Sequence, residues 1–209
     1  TYEVSRSLAA VEGAILLVDA TQGVQAQPLA NLELARAAQV VIIPAVNKID
    51  ALGADVAGTR QELRVLLGLP EADVLLVSAK TGEGVEALLA AVVQRIPPPR
   101  GDASQPFRGL MFDSTFDAYR GVITYIRVVD GTLARNTPVT FAASGADAAA
   151  LEVGTFRPSP TPQETLTAGD IGYVATGMRE STRARVGDTL LKREDRGNVA
   201  PVPGYRKPQ

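Results

Sequence analysis

The stretch "VVIIPAVNKIDALGADV", Val40 to Val56, passes from an uninterrupted apolar run straight into Asn47, Lys48, Ile49 and Asp50. A strand that merely turns needs only Gly, Asn or Asp at its end. Here an amide, an ammonium and a carboxylate leave one strand end together. Such a strand end carries chemistry as well as a turn.

Working outward, the same type of run recurs on both sides. "GAILLVDA" (Gly13 to Ala20) and "DVLLVSA" (Asp73 to Ala79) are short, apolar and rich in β-branched residues. Between the runs lie "QAQPLANLELARAAQ" (Gln25 to Gln39) and "TRQELRVLLGL" (Thr59 to Leu69), with apolar residues at helical spacing. "GVEALLAAVVQRI" (Gly84 to Ile96) closes the region in the same way. Apolar strands without in/out alternation, separated by helices, predict an α/β region with a parallel sheet covered on both faces.

At "PPPRGDASQP" (Pro97 to Pro106) the pattern breaks. Such a proline-rich stretch cannot continue a helix and predicts a semi-rigid linker. Beyond it, "GLMFDS", "GVITYIRVVDGTL", "TPVTFAAS", "ALEVGTF", "DIGYVATGM" and "VGDTLLK" are bounded by Gly, Asp and Pro at short intervals. That spacing predicts a small antiparallel β-barrel. The expected organisation is therefore α/β for residues 1–98, a linker over 99–106, an all-β barrel over 107–192 and a connecting segment over 193–209.

Composition narrows the chemistry. The 209 residues are 45% hydrophobic, ample for packed cores. With no cysteine, a disulfide framework and a thiolate zinc site are both excluded, and with no histidine the usual general base is missing. No apolar run approaches the ~20 residues of a membrane-spanning helix, and no signal-peptide pattern opens the chain. The expectation is a soluble intracellular protein; because residue 1 is Thr, an internal piece of something longer is expected. The net charge of −2 is uneven: residues 1–178 carry 13 Lys/Arg against 19 Asp/Glu, and residues 179–209 carry 8 against 4. A basic end of this kind is either a solvated tail or a surface facing a polyanion.

In open α/β sheets, ligands sit at the carboxyl ends of the strands. Asp19, then Asn47, Lys48 and Asp50, then Ser78 and Lys80 all fall at such ends. "NKID" followed one strand later by "SAK" makes sense for one base in particular. Guanine shows two donors on one edge, which the Asp50 carboxylate can accept as a bidentate pair. Its carbonyl needs a donor, which a backbone N–H of the Ser78-Ala79-Lys80 loop can supply. The Lys48 stem can lie across the ring, joining apolar contact to a cation over a π-system. Adenine puts an amine where guanine has its carbonyl, so donors would face donors.

At these residues the sequence resembles a family. "NKID" and "SAK" are similar to the fourth and fifth guanine-binding motifs of translational GTPases, and the surrounding text resembles the elongation factor 4 (LepA) family. Tyr2 to Asn31 is similar to the segment following that family's D-T-P-G-H motif, and "IPPPRGD" (Ile96 to Asp102) to its exit from the GTPase domain. Asp113 to Leu133 and Leu166 to Leu190 resemble its barrel domain, and "PVPGYRKPQ" (Pro201 to Gln209) its connection into a third domain. Val11, where many members carry cysteine, and the Gly/Ala-rich "ALGADVAGT" depart from the pattern without touching a binding residue.

The resemblance implies GTP as ligand, read by Asn47, Lys48, Ile49 and Asp50 with Ser78, Ala79 and Lys80. It implies Mg2+ in the intact protein, and GTP hydrolysis coupled to translocation or back-translocation. The implied partner is the ribosome, its RNA and proteins with tRNA nearby, bound by a protein that is monomeric when intact. The implied location is the cytoplasm, with peripheral attachment to the inner face of the cell membrane or a mitochondrial counterpart. Open alternatives are a fragment of an initiation or release factor, a non-enzymatic ribosome- or RNA-binding module, and a purely structural piece.

One motif is missing from the 209 residues. Phosphate binding of this type needs G-x-x-x-x-G-K-[ST]. Of the four lysines only Lys80 precedes Thr, and Val74 and Ala79 stand where both glycines would be. By resemblance the switch threonine and the catalytic histidine fall upstream of Thr1. The expectation is a chain that keeps the base-reading half of a GTPase and by itself hydrolyses nothing.

Overall fold

The computed structural model describes residues 2–180 and 184–203. The chain divides into two compact units, residues 1–98 and 99–209. Each has its own hydrophobic core.

In the first unit, β1 (Gly13–Asp19), β2 (Val41–Asn47) and β3 (Leu75–Leu76) form a parallel sheet in the order β1-β2-β3. The helices are α1 (Tyr2–Leu8), α2 (Ala26–Ala37), α3 (Val56–Leu67) and α4 (Val85–Arg95). Val18 of β1, Val46 of β2, Leu63 of α3 and Val74 are buried together in the core. The expected α/β class is what this unit has. α3 begins three residues before the predicted Thr59 because Asp55 caps it, its carboxylate accepting the Gly58 N–H at 2.9 Å. Gly68, left-handed at φ 65°, ends it.

The third strand is much shorter than the predicted Asp73 to Ala79. Glu71–Asp73 form a 3-10 turn, and the ladder pairs only Leu75 and Leu76 with Ala45 and Val46. One further bond follows, Val77 N–H to Val46 O at 2.8 Å, before Ser78 N–H turns to Glu83 O at 2.9 Å. Gly84 permits this tight exit. It sits at φ 71°, and a Cβ there would lie 2.0 Å from the Leu76 carbonyl oxygen. Side-chain pattern reports which residues are apolar and not where the backbone leaves the ladder.

The second unit is antiparallel. Its strands are β4 (Arg108–Asp117), β5 (Gly121–Asp130), β6 (Thr132–Ala134), β7 (Thr137–Phe141), β8 (Asp147–Ala150), β9 (Glu152–Phe156), β10 (Pro160–Gln163), β11 (Thr165–Thr167), β12 (Ile171–Ala175) and β13 (Thr189–Lys192). Eight pair in the order β10-β9-β12-β5-β4-β13-β7-β8, and β6 pairs with β11. Met111, Ile126, Leu133, Phe141, Val153, Leu166, Val174 and Leu190 share one buried cluster. Strands from across the sheet thus face a single core, the arrangement of a barrel-like fold.

Residues 99–106 group with this unit rather than standing apart. Asp102 N–H donates to the Asp130 carboxylate at 3.1 Å, and Gly131 N–H to Asp102 O at 2.9 Å. Residues 204–209 of the basic segment and of "PVPGYRKPQ" lie outside the described residues.

Candidate nucleotide-binding site

β2 and β3 end side by side, and the loops leaving them are tied together at three points. Asn47 Oδ1 accepts the Ala79 N–H at 3.1 Å. Ser78 Oγ donates to Asp50 Oδ1 at 2.6 Å. Ile49 N–H donates to Val77 O at 3.4 Å. Beneath them Ser78 is fully buried, and its Oγ also accepts the Thr81 N–H at 3.1 Å. "NKID" and "SAK" therefore form one cross-linked surface, although 28 residues separate Asp50 from Ser78.

The seven residues expected from the sequence divide by position. Asn47, Lys48, Asp50, Ala79 and Lys80 line one cavity of about 670 Å³, together with Ala51 and Leu52. Ser78 supports it from below. Ile49 packs its side chain against the core of the unit and holds the loop instead of lining the cavity.

Two carboxylates give the site its electrostatics. The Asp50 carboxyl is held below the ordinary aspartate range, chiefly by the Ser78 hydroxyl and then by a backbone hydrogen bond and the charge of Lys80, with desolvation opposing. It presents an ionised acceptor. At the end of the neighbouring β1, Asp19 Oδ2 pairs with Lys48 Nζ at 2.6 Å. Hydrogen bonds from Lys48 and Thr21 bring the Asp19 carboxyl down to about 2. Lys48 reaches this pairing from a left-handed backbone, φ 62°, which side-chain-bearing residues seldom adopt.

The donors are also distributed. Ser78 N–H is committed to Glu83 O and Ala79 N–H to Asn47, so neither is the open donor of the loop. Among the described contacts the Lys80 N–H donates to none, and the Asn47 amide nitrogen adds a second donor type at the cavity. Sequence reading missed Leu52, which lines the cavity and is fully exposed at 103%. A bare Leu beside a polar cleft is an apolar surface for a flat ligand, and its place directly after "NKIDA" was the available signal.

The arrangement suits a planar heterocycle with adjacent donors on one edge. The sequence holds no G-x-x-x-x-G-K-[ST] phosphate-binding motif. Among the described residues no group of three or more His, Cys, Asp or Glu side chains is placed to hold a metal ion.

Comparison with known proteins bears on the chain as a whole. The family model of the elongation factor Tu GTP binding domain matches residues 1–98. Residues 1–98 are thus similar to this family. Over its whole length the chain is similar to elongation factor 4, as its sequence suggested. It is 50% identical over 213 residues to elongation factor 4 of Thermobifida fusca (strain YX), covering 100% of this chain and 34% of the relative. It is 49% identical over 206 residues to the mitochondrial translation factor GUF1 homolog of Arabidopsis thaliana, covering 99% of this chain and 31% of the relative. The chain thus spans about a third of the length of the curated relatives it matches. Among solved structures, elongation factor SelB of Methanococcus maripaludis, in complex with the GTP analogue GppNHp, superposes with a TM-score of 0.73 over 91% of this chain and 43% of that one, at 16% identity. At that identity the likeness is one of fold alone.

Proposed function

We propose that this chain supplies guanine recognition within a GTP-hydrolysing, ribosome-associated translation factor of the elongation factor 4 type. The observation that carries the proposal is the cross-linked pair of loops. Asp50, ionised and braced by Ser78, is offered beside Asn47 and the unengaged Lys80 N–H. In this reading Asp50 accepts guanine's ring N–H and amine together, and Lys80 N–H donates to its carbonyl. Lys48 and Leu52 lie against the ring. Ile49 and Ser78 hold these groups in register.

Bound GTP would supply the phosphoryl chemistry, and Mg2+ would accompany it in the intact protein. The groups that hold phosphate and metal belong to other parts of the longer protein, so the chain alone binds GTP weakly and turns none over. The ribosome is the proposed partner because the relatives are named as translation factors. The proposed location is the cytoplasm, with a mitochondrial counterpart, as one relative is named mitochondrial. Attachment to the inner membrane face remains part of the proposal; no helix among the described residues is long and apolar enough to cross a bilayer.

Asp50→Asn tests the reading. Xanthine carries a carbonyl where guanine carries its amine, and an Asn amide can donate where a carboxylate only accepts. In the intact protein the variant should lose roughly tenfold or more in GTP affinity and gain affinity for xanthosine triphosphate, the scale of one charge-assisted hydrogen bond. Equal treatment of the two nucleotides by variant and parent would remove Asp50 from the role of base reader.

A further inference from the structure

The pairing of Asp19 with Lys48 has no place in the sequence motifs, since Asp19 ends a different strand. It is nevertheless built. β1 and β2 run in register with Asp19 opposite Asn47, so the residue after Asn47 starts beside the Asp19 side chain. Thr21 N–H and Thr21 Oγ1 both donate to Asp19 Oδ1, at 2.9 and 2.7 Å. That turn fixes the carboxylate and leaves Oδ2 aimed at Lys48 Nζ, 2.6 Å away. Asp19 Oδ1 is thus occupied by the turn and Oδ2 by the ammonium.

Two features argue against a stabilising purpose. The Lys48 side chain is 54% exposed, and exposed ion pairs contribute little to folding. Lys48 also pairs from an unfavourable left-handed backbone, where a Gly would sit without strain. A sequence seeking stability alone would place neither there. What the pair does achieve is to fix one end of a long, flexible side chain that lines the cavity. With Nζ held at the β1 edge, the methylene stem has few conformations left and runs along the cavity wall.

We propose that Asp19 is a positioning residue for the base site, holding Lys48 so that its stem forms one wall of the cleft before ligand arrives. The idea rests on the guanine reading above. It goes beyond it by assigning a role to a strand-end carboxylate outside both loops. Pre-ordering a rotamer-rich side chain reduces what binding must otherwise freeze out.

The test is a double-substitution cycle on this chain, with guanosine diphosphate titrated and followed by nuclear magnetic resonance. Asp19→Asn, Lys48→Met and the pair are compared with the parent. Asp19→Asn should weaken binding by roughly three- to tenfold, the range of a partly exposed charge pair with its ordering effect. In the Lys48→Met background it should change binding by less than about twofold. Asp19→Glu should recover part of the loss. Without nucleotide, the Lys48 ammonium signal, slowed in exchange by its partner, should disappear in Asp19→Asn. Equal weakening in both backgrounds, or an unchanged ammonium signal, would overturn the proposal. If guanosine and adenosine diphosphates perturb Asn47, Asp50 and Ala79 alike in the parent, the guanine reading fails. The ammonium experiment still decides whether Asp19 holds Lys48.

Discussion

Ser78→Ala is the most informative single change at the site, because Ser78 carries both the support of Asp50 and part of the fold. Its side chain is 0% exposed, and its Oγ makes two hydrogen bonds, donating to Asp50 and accepting from Thr81 N–H. Alanine removes both. The Asp50 carboxylate is exposed and can turn partly to water, so its bond adds only a small, pH-dependent share. The Thr81 N–H loses its acceptor in a partly buried turn, which costs about 1–2 kcal/mol. For a unit of 98 residues that lowers the melting temperature by roughly 4–12 °C. Among the described residues all four α-helices lie in this unit, so far-ultraviolet ellipticity follows its unfolding. A second readout is the Asp50 carboxyl, followed by carbon resonance. Ser78 is the chief reason it titrates low, so it should return toward the ordinary aspartate value. The sign follows. A carboxyl lowered in the folded state adds stability above its unfolded pKa and loses it as pH falls through the folded one. The variant should therefore show a weaker acid dependence below about pH 4. A melting shift under about 2 °C, with Asp50 titrating as in the parent, would mean that Ser78 braces neither the loop nor the carboxylate.

Two further outcomes concern the rest of the chain. Among the described strands β1 pairs only with β2, and Ile15 and Leu17 on it are 43% and 49% exposed. The 209-residue chain should self-associate through this edge, and Ile15→Lys with Leu17→Lys should lower its mass in light scattering; a monomeric parent would show the edge to be covered. In the second unit, burial raises the Asp188 carboxyl above the ordinary range despite the backbone N–H groups of Ala143, Thr189 and Ser144. A raised folded pKa means stability fully present below the unfolded value and lost as pH rises through the folded one. Urea midpoints of this unit should fall from pH 4 upward, with the dependence flattened in Asp188→Asn. A midpoint rising over that range would contradict the assignment.

The fold was legible where side-chain pattern and backbone path agree. β1, β2 and the core of the barrel were read from apolar runs and turn residues, and the units divide where the prolines cluster. It was illegible where local chemistry disguises a strand. β10 contains Pro160 and Pro162, which argue against a strand, yet it lies at one end of the eight-stranded sheet. There a missing N–H costs no ladder bond on the open side. β8 lies in "GADAAALE", where alanine favours helix, and only pairing with β7 makes it extended. Tertiary context won in both cases.

The site divides along the same line. Asn47, Asp50, Ser78 and Lys80 were readable because each stands inside a short motif whose spacing has a chemical reason. Asp19 was visible as a polar strand end and had no reason attached. Its reason is the register of β1 on β2, which sets Asp19 opposite Asn47, together with the left-handed turn at Lys48. Neither is written locally. Register in a parallel sheet is decided by helices packing between the strands, and a left-handed lysine is tolerated only when its surroundings hold it. Motif reading therefore finds the groups within the two loops, whether they line the cavity or brace it, and attaches no role to a residue outside them such as Asp19. A carboxylate at the end of a neighbouring strand, fixed by its own turn, is the place to look for such a residue.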